Sequence, residues 1–206
     1  MRFLPLLSSR QSPIPWISFG NVELAWEGGL HEGWPQAVRD GLGVHALHLP
    51  QQEWGEGLLG NALEALRAPL GADFLVIPAG ILGNIPERAT FLNALELLLE
   101  ALQGRGVKIA LRPLPGATPG LVSLLKEMGC DAVGYCWDQA LGADLDLISD
   151  RLFCAVDDGS GDFTGLRRLG YRWNLAVPAP DPRVMARTLA RLKASHPMIF
   201  FPEVNP

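Results

Sequence analysis

At 206 residues, 48% hydrophobic and 19% charged, the chain can bury a single-domain core without staples and is too apolar for wholesale disorder. A formal charge of −5, with Arg167-Arg168 as the densest basic cluster, argues against a nucleic-acid partner. Three cysteines without C-x-x-C spacing argue against a disulfide framework or a structural zinc, and no apolar run reaches the roughly 20 residues that span a bilayer, so a reduced, cytoplasmic protein with no membrane partner is expected.

The N-terminal Met1-Arg2-Phe3-Leu4-Pro5-Leu6-Leu7 is too short and Pro-broken for the core of a signal peptide. An apolar run, Ile14–Phe19, follows and is interrupted by Pro15. Strand candidates come next at Val22–Trp26 and Val44–Leu49, with a helical turn or two after Pro35 between them. A helix over Leu58–Arg67 leads to a strand at Phe74–Ala79. Asn84 and Pro86 introduce a helix from Glu87 to Gln103, where Phe91, Leu95, Leu98 and Leu102 form one stripe and Gly104 supplies a stop. After a strand at Val107–Arg112, Thr118-Pro119 reads as an N-cap with a first-turn proline. Its helix turns Leu121, Leu124, Leu125 and Met128 to one side and ends at Gly129. Strands at Ala132–Asp138 and Leu152–Asp157 follow, and Asp162 caps a short helix carrying Phe163, Leu166 and Leu169. Beyond a strand at Trp173–Val177, Asp181-Pro182 opens a last helix, and a final apolar run occupies Met198–Phe201.

These strands are nearly continuous apolar runs, as expected when helices cover one face and a barrel interior the other. Eight or nine of them separated by helices predict a single α/β domain over residues 1–206, a compact parallel (β/α)8 TIM barrel. An open doubly wound sheet is the alternative, but no Gly-rich phosphate loop follows an early strand. Against a typical length of about 250 residues, some helices must be short or missing, with the N-terminal part the expected place.

Several short motifs occur in a telling order: Gly20-Asn21-Val22-Glu23-Leu24, Leu47-His48-Leu49-Pro50, Gly106-Val107-Lys108-Ile109-Ala110-Leu111, Tyr135-Cys136-Trp137-Asp138, Cys154-Ala155-Val156-Asp157 and Leu169-Gly170-Tyr171. That order resembles the xylose isomerase-like TIM barrel superfamily, which contains sugar phosphate isomerases and epimerases. The resemblance implies a divalent cation held at the C-terminal strand ends by two glutamates, an aspartate and a histidine. At the matching positions this chain carries Arg112, Asp138, Cys154 and about Val177, so only the aspartate is kept. A guanidinium about 4 Å from a divalent ion is repelled by roughly 8 kcal/mol at an effective dielectric of about 20. The expectation is a divergent member with an eroded metal site, with no metal ligands and no cofactor.

The catalytic candidates are Asp138, Asp157 and Glu203, and the substrate-binding candidates His48, Arg112, Glu23 and Trp137. Strand alternation puts Arg112 and Asp138 on faces that meet across the mouth if both point inward. Arg112 then reads as a structural ion-pair partner replacing the metal, or as a clamp for a phosphate or carboxylate. His48 reads as a substrate ligand or as a histidine held by a local backbone partner, with His45 on the other face beneath a helix. Asp162 reads as a cap rather than as part of a metal loop with Asp157 and Asp158. Glu203 reaches the mouth if the last run closes the barrel. Trp26, Trp54 and Trp137 suit either sugar stacking or packing. Cys136 and Cys154, without a histidine base nearby in sequence, read as inert core thiols. Two functions stay open. One is a sugar phosphate isomerase/epimerase-like barrel acting on or binding a small sugar-like or anionic ligand. The other is a non-catalytic pseudoenzyme that binds such a ligand or regulates a partner.

Overall fold

The structure, a computed structural model, describes residues 1–80, 85–141, 145–157, 163–171, 173–178 and 181–195. Eight parallel strands close into a barrel in chain order: β1 (Arg2–Ser8), β2 (Asn21–Ala25), β3 (Gly43–His48), β4 (Phe74–Ala79), β5 (Lys108–Pro113), β6 (Val133–Asp138), β7 (Leu152–Val156) and β8 (Asn174–Pro178). β1 returns to β8 with Arg2 opposite Asn174 and Leu6 opposite Pro178, so the sheet keeps no edge. The closing strand is therefore Arg2–Ser8, which the sequence reading did not assign because Pro5 interrupts it. The run Met198–Phe201 and Glu203 lie outside the described residues.

The chain fits a barrel into 206 residues by shortening its connections. Between β1 and β2 stands only a 3₁₀ helix, Ile14–Phe19, where a broken strand was expected. Pro15 explains the difference: it has no N–H for a sheet ladder but suits the first turn of a helix. Helix α1 (Trp34–Arg39) has six residues, and three-residue 3₁₀ turns serve between β6 and β7. The other helices are α2 (Glu56–Arg67), α3 (Ile85–Leu102), α4 (Thr118–Met128), α5 (Thr164–Arg168) and α6 (Pro182–Ser195). No described helix is long and apolar enough to cross a membrane.

The cap of α4 differs from expectation. Ala117 stands at the N-cap, and the Thr118 hydroxyl instead meets the Tyr135 hydroxyl at 3.2 Å on the neighbouring strand. Gly129 ends this helix at a φ of 58°, a left-handed conformation that side chains disfavour. At α6 the Asp181 carboxylate accepts the N–H groups of Arg183 and Val184 at 2.8 and 2.9 Å, as a capping aspartate should. The cap expected from Asp162 lies outside the described residues.

Alternation along the strands sorts the apolar side chains into two layers. The larger lies between strands and helices and includes Leu24, Leu47, Ile77, Leu111, Tyr135, Phe91, Leu98 and Leu121. The smaller fills the barrel interior with Ala46, Val76, Ala110, Cys136, Cys154, Val156 and Ala176, with Leu6, Phe74 and Phe153 against it. These interior side chains are mostly small, which leaves room on the barrel axis for polar groups.

Candidate functional site

Two polar pairs occupy the inner face of the barrel. The first joins β2 and β3, where Glu23 Oε2 and His48 Nε2 are 2.6 Å apart. Glu23 and His48 are 1% and 5% exposed, so both side chains are buried. A register irregularity aims it: as β2 advances from Val22 to Leu24, β3 advances from Val44 to Leu47. An extra residue of this kind turns neighbouring side chains to new directions. Glu23 Oε1 and His48 Nδ1 have no hydrogen-bond partner among the described residues. Buried polar atoms are normally satisfied, and each exception needs an explanation.

The second pair stands three strands further round. Arg112 donates from Nε and Nη2 to Asp138 Oδ2 at 2.8 and 2.6 Å, and the Ala140 N–H reaches Asp138 Oδ1 at 3.1 Å. Both side chains lie at the C-terminal strand ends, Asp138 at 8% and Arg112 at 34% exposure. The carboxylate thus accepts three hydrogen bonds from its own chain, two at Oδ2 and one at Oδ1.

Two thiols share the inner face, Cys136 and Cys154, opposite one another on β6 and β7. Burial pushes both well above the ordinary thiol range, and for Cys136 the Arg112 guanidinium opposes that shift while Glu23 and Asp138 add to it. Protonated at neutral pH, they are poor nucleophiles. Cys130 is the partly exposed third.

Asp157 lies buried one residue beyond β7, with its N–H on the Ala176 carbonyl at 2.9 Å and its strand neighbour Val156 opposite Asp138. Trp137 departs from expectation. It belongs to the layer between strands and helices, because it alternates with the inward-facing Cys136 and Asp138. Trp26 joins the same layer, and Trp54 packs on Phe91 with ring centroids 3.9 Å apart while donating to the Pro78 carbonyl. All three tryptophans thus belong to the packing of that layer. His45 also differs, meeting Asp73 at 2.9 Å toward the N-terminal end.

Two residues escaped the sequence reading. Ser9, fully buried, accepts the Glu27 N–H and donates to the Gly29 carbonyl, tying the loops after β1 and β2 together. Gln52, in the loop after His48, accepts from Asn61 and leaves a buried Nε2 without a partner among the described residues. Neither carries a sequence signal beyond its place just after a strand. A cleft of about 450 Å³ lies at the other end, where Gly71, Asp73, Arg105 and Gly106 precede β4 and β5. That is the end where barrels of this kind are built for stability rather than chemistry.

Among the described residues no group of three or more His, Cys, Asp or Glu side chains is arranged to hold a metal ion. The positions implied by the resemblance carry a guanidinium, a carboxylate already bonded to that guanidinium and to the Ala140 N–H, and a buried thiol, which offers a hard divalent cation a single oxygen ligand group beside a positive charge.

No protein-family model and no curated protein matches the sequence. Solved structures do. A xylose isomerase domain protein from Planctomyces limnophilus is similar with a TM-score of 0.69 at 12% identity, covering 93% of this chain and 96% of the other. The 3-keto-D-glucoside 4-epimerase of E. coli gives 0.68 at 18% identity, with 94% and 99% covered. A D-tagatose 3-epimerase-like protein gives 0.69 at 14% identity, with 97% and 98% covered. The chain has the xylose isomerase-like (β/α)8 barrel fold.

Proposed function

We propose that this barrel takes a small sugar-like ligand at its C-terminal mouth and acts on it as an isomerase or epimerase, without a divalent cation. The Glu23–His48 pair carries this reading. A buried carboxylate and a buried imidazole, each short of one partner, are costly until something supplies donors and acceptors. A sugar's hydroxyl and carbonyl groups supply both. A carboxylate placed to take a proton from carbon beside a carbonyl, with an imidazole to relay it or to polarise the oxygen, is the acid–base set such chemistry requires. Two fold neighbours are described as an epimerase and as epimerase-like, which supports the ligand class. Arg112 supplies a fixed positive charge in place of a metal.

A second reading, binding without turnover, draws on Asp138. Its three hydrogen bonds to Arg112 and Ala140 withdraw it from proton transfer, leaving Glu23 to serve both faces of a carbon centre. One experiment separates the two. The protein is incubated with D-fructose or D-tagatose in D2O, with proton NMR reporting exchange beside the carbonyl and melting temperature reporting binding. Exchange that is lost in Glu23→Gln supports catalysis. A melting shift without exchange supports the binding protein. Neither signal with either sugar rejects the sugar-like ligand.

A further inference from the structure

We infer that Arg112 is the anion-reading group of this mouth and that its ligand carries a carboxylate or phosphate. The inference rests on the proposed sugar-like ligand and narrows it to acidic sugars or sugar phosphates.

The argument starts from the geometry of one guanidinium. Arginine has five N–H donors in a plane, on edges with fixed directions. The side edge, formed by Nε and the nearer N–H of Nη2, is spent on Asp138 Oδ2. Among the described residues Arg112 makes no other hydrogen bond, so the end edge, with parallel N–H groups on Nη1 and Nη2, meets no described acceptor. Two parallel donors match the two oxygens of a carboxylate or phosphate. The Arg112 side chain is 34% exposed while Asp138 is 8% exposed, so the arginine is the member of the pair that a ligand at the mouth can reach.

Anchoring makes this edge a site rather than a passing surface arginine. Asp138 is itself held by the Ala140 N–H, so the guanidinium is fixed before any ligand arrives, and little side-chain freedom remains to be lost on binding. Asp138 is thus a positioning residue. The Glu23–His48 pair lies three strands away on the same inner face of the barrel. A ligand whose anionic end meets Arg112 therefore directs its hydroxylated end across the mouth toward Glu23 and His48.

The test uses the full chain and three probes on one scaffold: D-glucose, D-glucuronate and D-glucose 6-phosphate. Calorimetry measures affinity, and NMR follows the Arg112 Nε resonance under added inorganic phosphate. At least one anionic probe is expected to bind ten- to a hundredfold more tightly than glucose, as charge-assisted hydrogen bonds allow. Which of the two wins identifies carboxylate or phosphate. The preference should vanish in Arg112→Gln/Asp138→Asn, a double variant that keeps a hydrogen-bonded pair and avoids stranding a buried carboxylate. Arg112→Lys, with the charge but not the fork, should retain a tenth or less of the affinity. Asp138→Asn alone should weaken anion binding and broaden the Nε resonance, which a purely structural role would leave sharp. Equal affinity for glucose and both anions overturns the inference and leaves the sugar reading standing, as does a preference surviving in the double variant. Phosphate perturbing Arg112 while no sugar binds supports the anion site and overturns the sugar reading. No response to any probe overturns both.

Discussion

Replacing Arg112 should cost more stability than replacing its partner, because the two ends of the pair differ in burial. Arg112→Met leaves the Asp138 carboxylate, 8% exposed, with only the Ala140 N–H. Breaking a fully buried ion pair from one side costs about 3–5 kcal/mol. At a barrel mouth, where Arg112 itself is 34% exposed, water offsets part of that, and about 2–3 kcal/mol is expected. Asp138→Asn leaves a guanidinium that can turn to solvent and keeps an oxygen for both donors, so about 1 kcal/mol is expected. The double variant Arg112→Met/Asp138→Asn should fall short of the sum by about 1–2 kcal/mol, the coupling of the pair. For a domain of this size, the larger effect lowers the melting temperature by roughly 5–10 °C. Urea unfolding of the four proteins measures all of it. A cost for Asp138→Asn equal to or above that of Arg112→Met would refute the account, since burial would not then be setting the asymmetry.

Further expectations follow from the interior. A Cβ at Gly134 would lie 2.5 Å from Phe153 and 2.6 Å from the Arg151 carbonyl, so Gly134→Ala should destabilise by about 2 kcal/mol or more in urea unfolding; an unchanged midpoint contradicts the packing. Ellman's reagent should titrate Cys130 alone in the native protein and all three thiols in guanidinium; early reaction of a second thiol would mean that the barrel interior opens readily. The raised Cys136 and Cys154 thiols keep protons that the unfolded chain releases above about pH 9, so stability is full below that pH and falls as pH rises. Each contributes a slope of up to about 1.4 kcal/mol per pH unit, and Cys136→Ala/Cys154→Ala should flatten the alkaline limb of a stability–pH curve.

The barrel was legible because its strands are long apolar runs between capped helices. Phe74–Ala79 could be bounded from the sequence to the residue, since Asp73 and Gly80 flank an apolar stretch whose proline, Pro78, falls only at its next-to-last position. β1 was not legible: Pro5 breaks the pattern that marks a strand, and its burial depends on β8, far along the chain. The site was legible in composition but less so in pairing. Alternation alone brings Arg112 and Asp138 to the inner face, and they meet there. Glu23 and His48 were each candidates, yet the contact between them depends on an irregular register between β2 and β3, which no local pattern encodes. Trp137 kept two readings because an aromatic residue at a strand end reads alike whether it faces the axis or the helices, and its parity opposite Asp138 places it in the layer under the helices.

Closure through β1 and β8 also constrains how the chain is made. The first strand's partner begins at Asn174, opposite Arg2, so during synthesis β1 waits for 172 further residues, 174 less 2. At ribosomal rates of about 5–20 residues per second this is roughly 9–34 s, far longer than a hairpin or a helix needs. Throughout that interval the outer side of β1 is an open strand edge, the kind of surface on which other chains add. The Arg2 N–H donates to the Trp173 carbonyl across this seam and the Ser9 N–H to Ala25 on the other side, so Pro5, of Ser9's parity, turns its nitrogen toward β2, just ahead of the first β1–β2 pair at Leu6 and Glu23. The residue that hides β1 from a reader of the sequence therefore takes no donor from the seam that closes the barrel, and the waiting edge keeps its full set for β8.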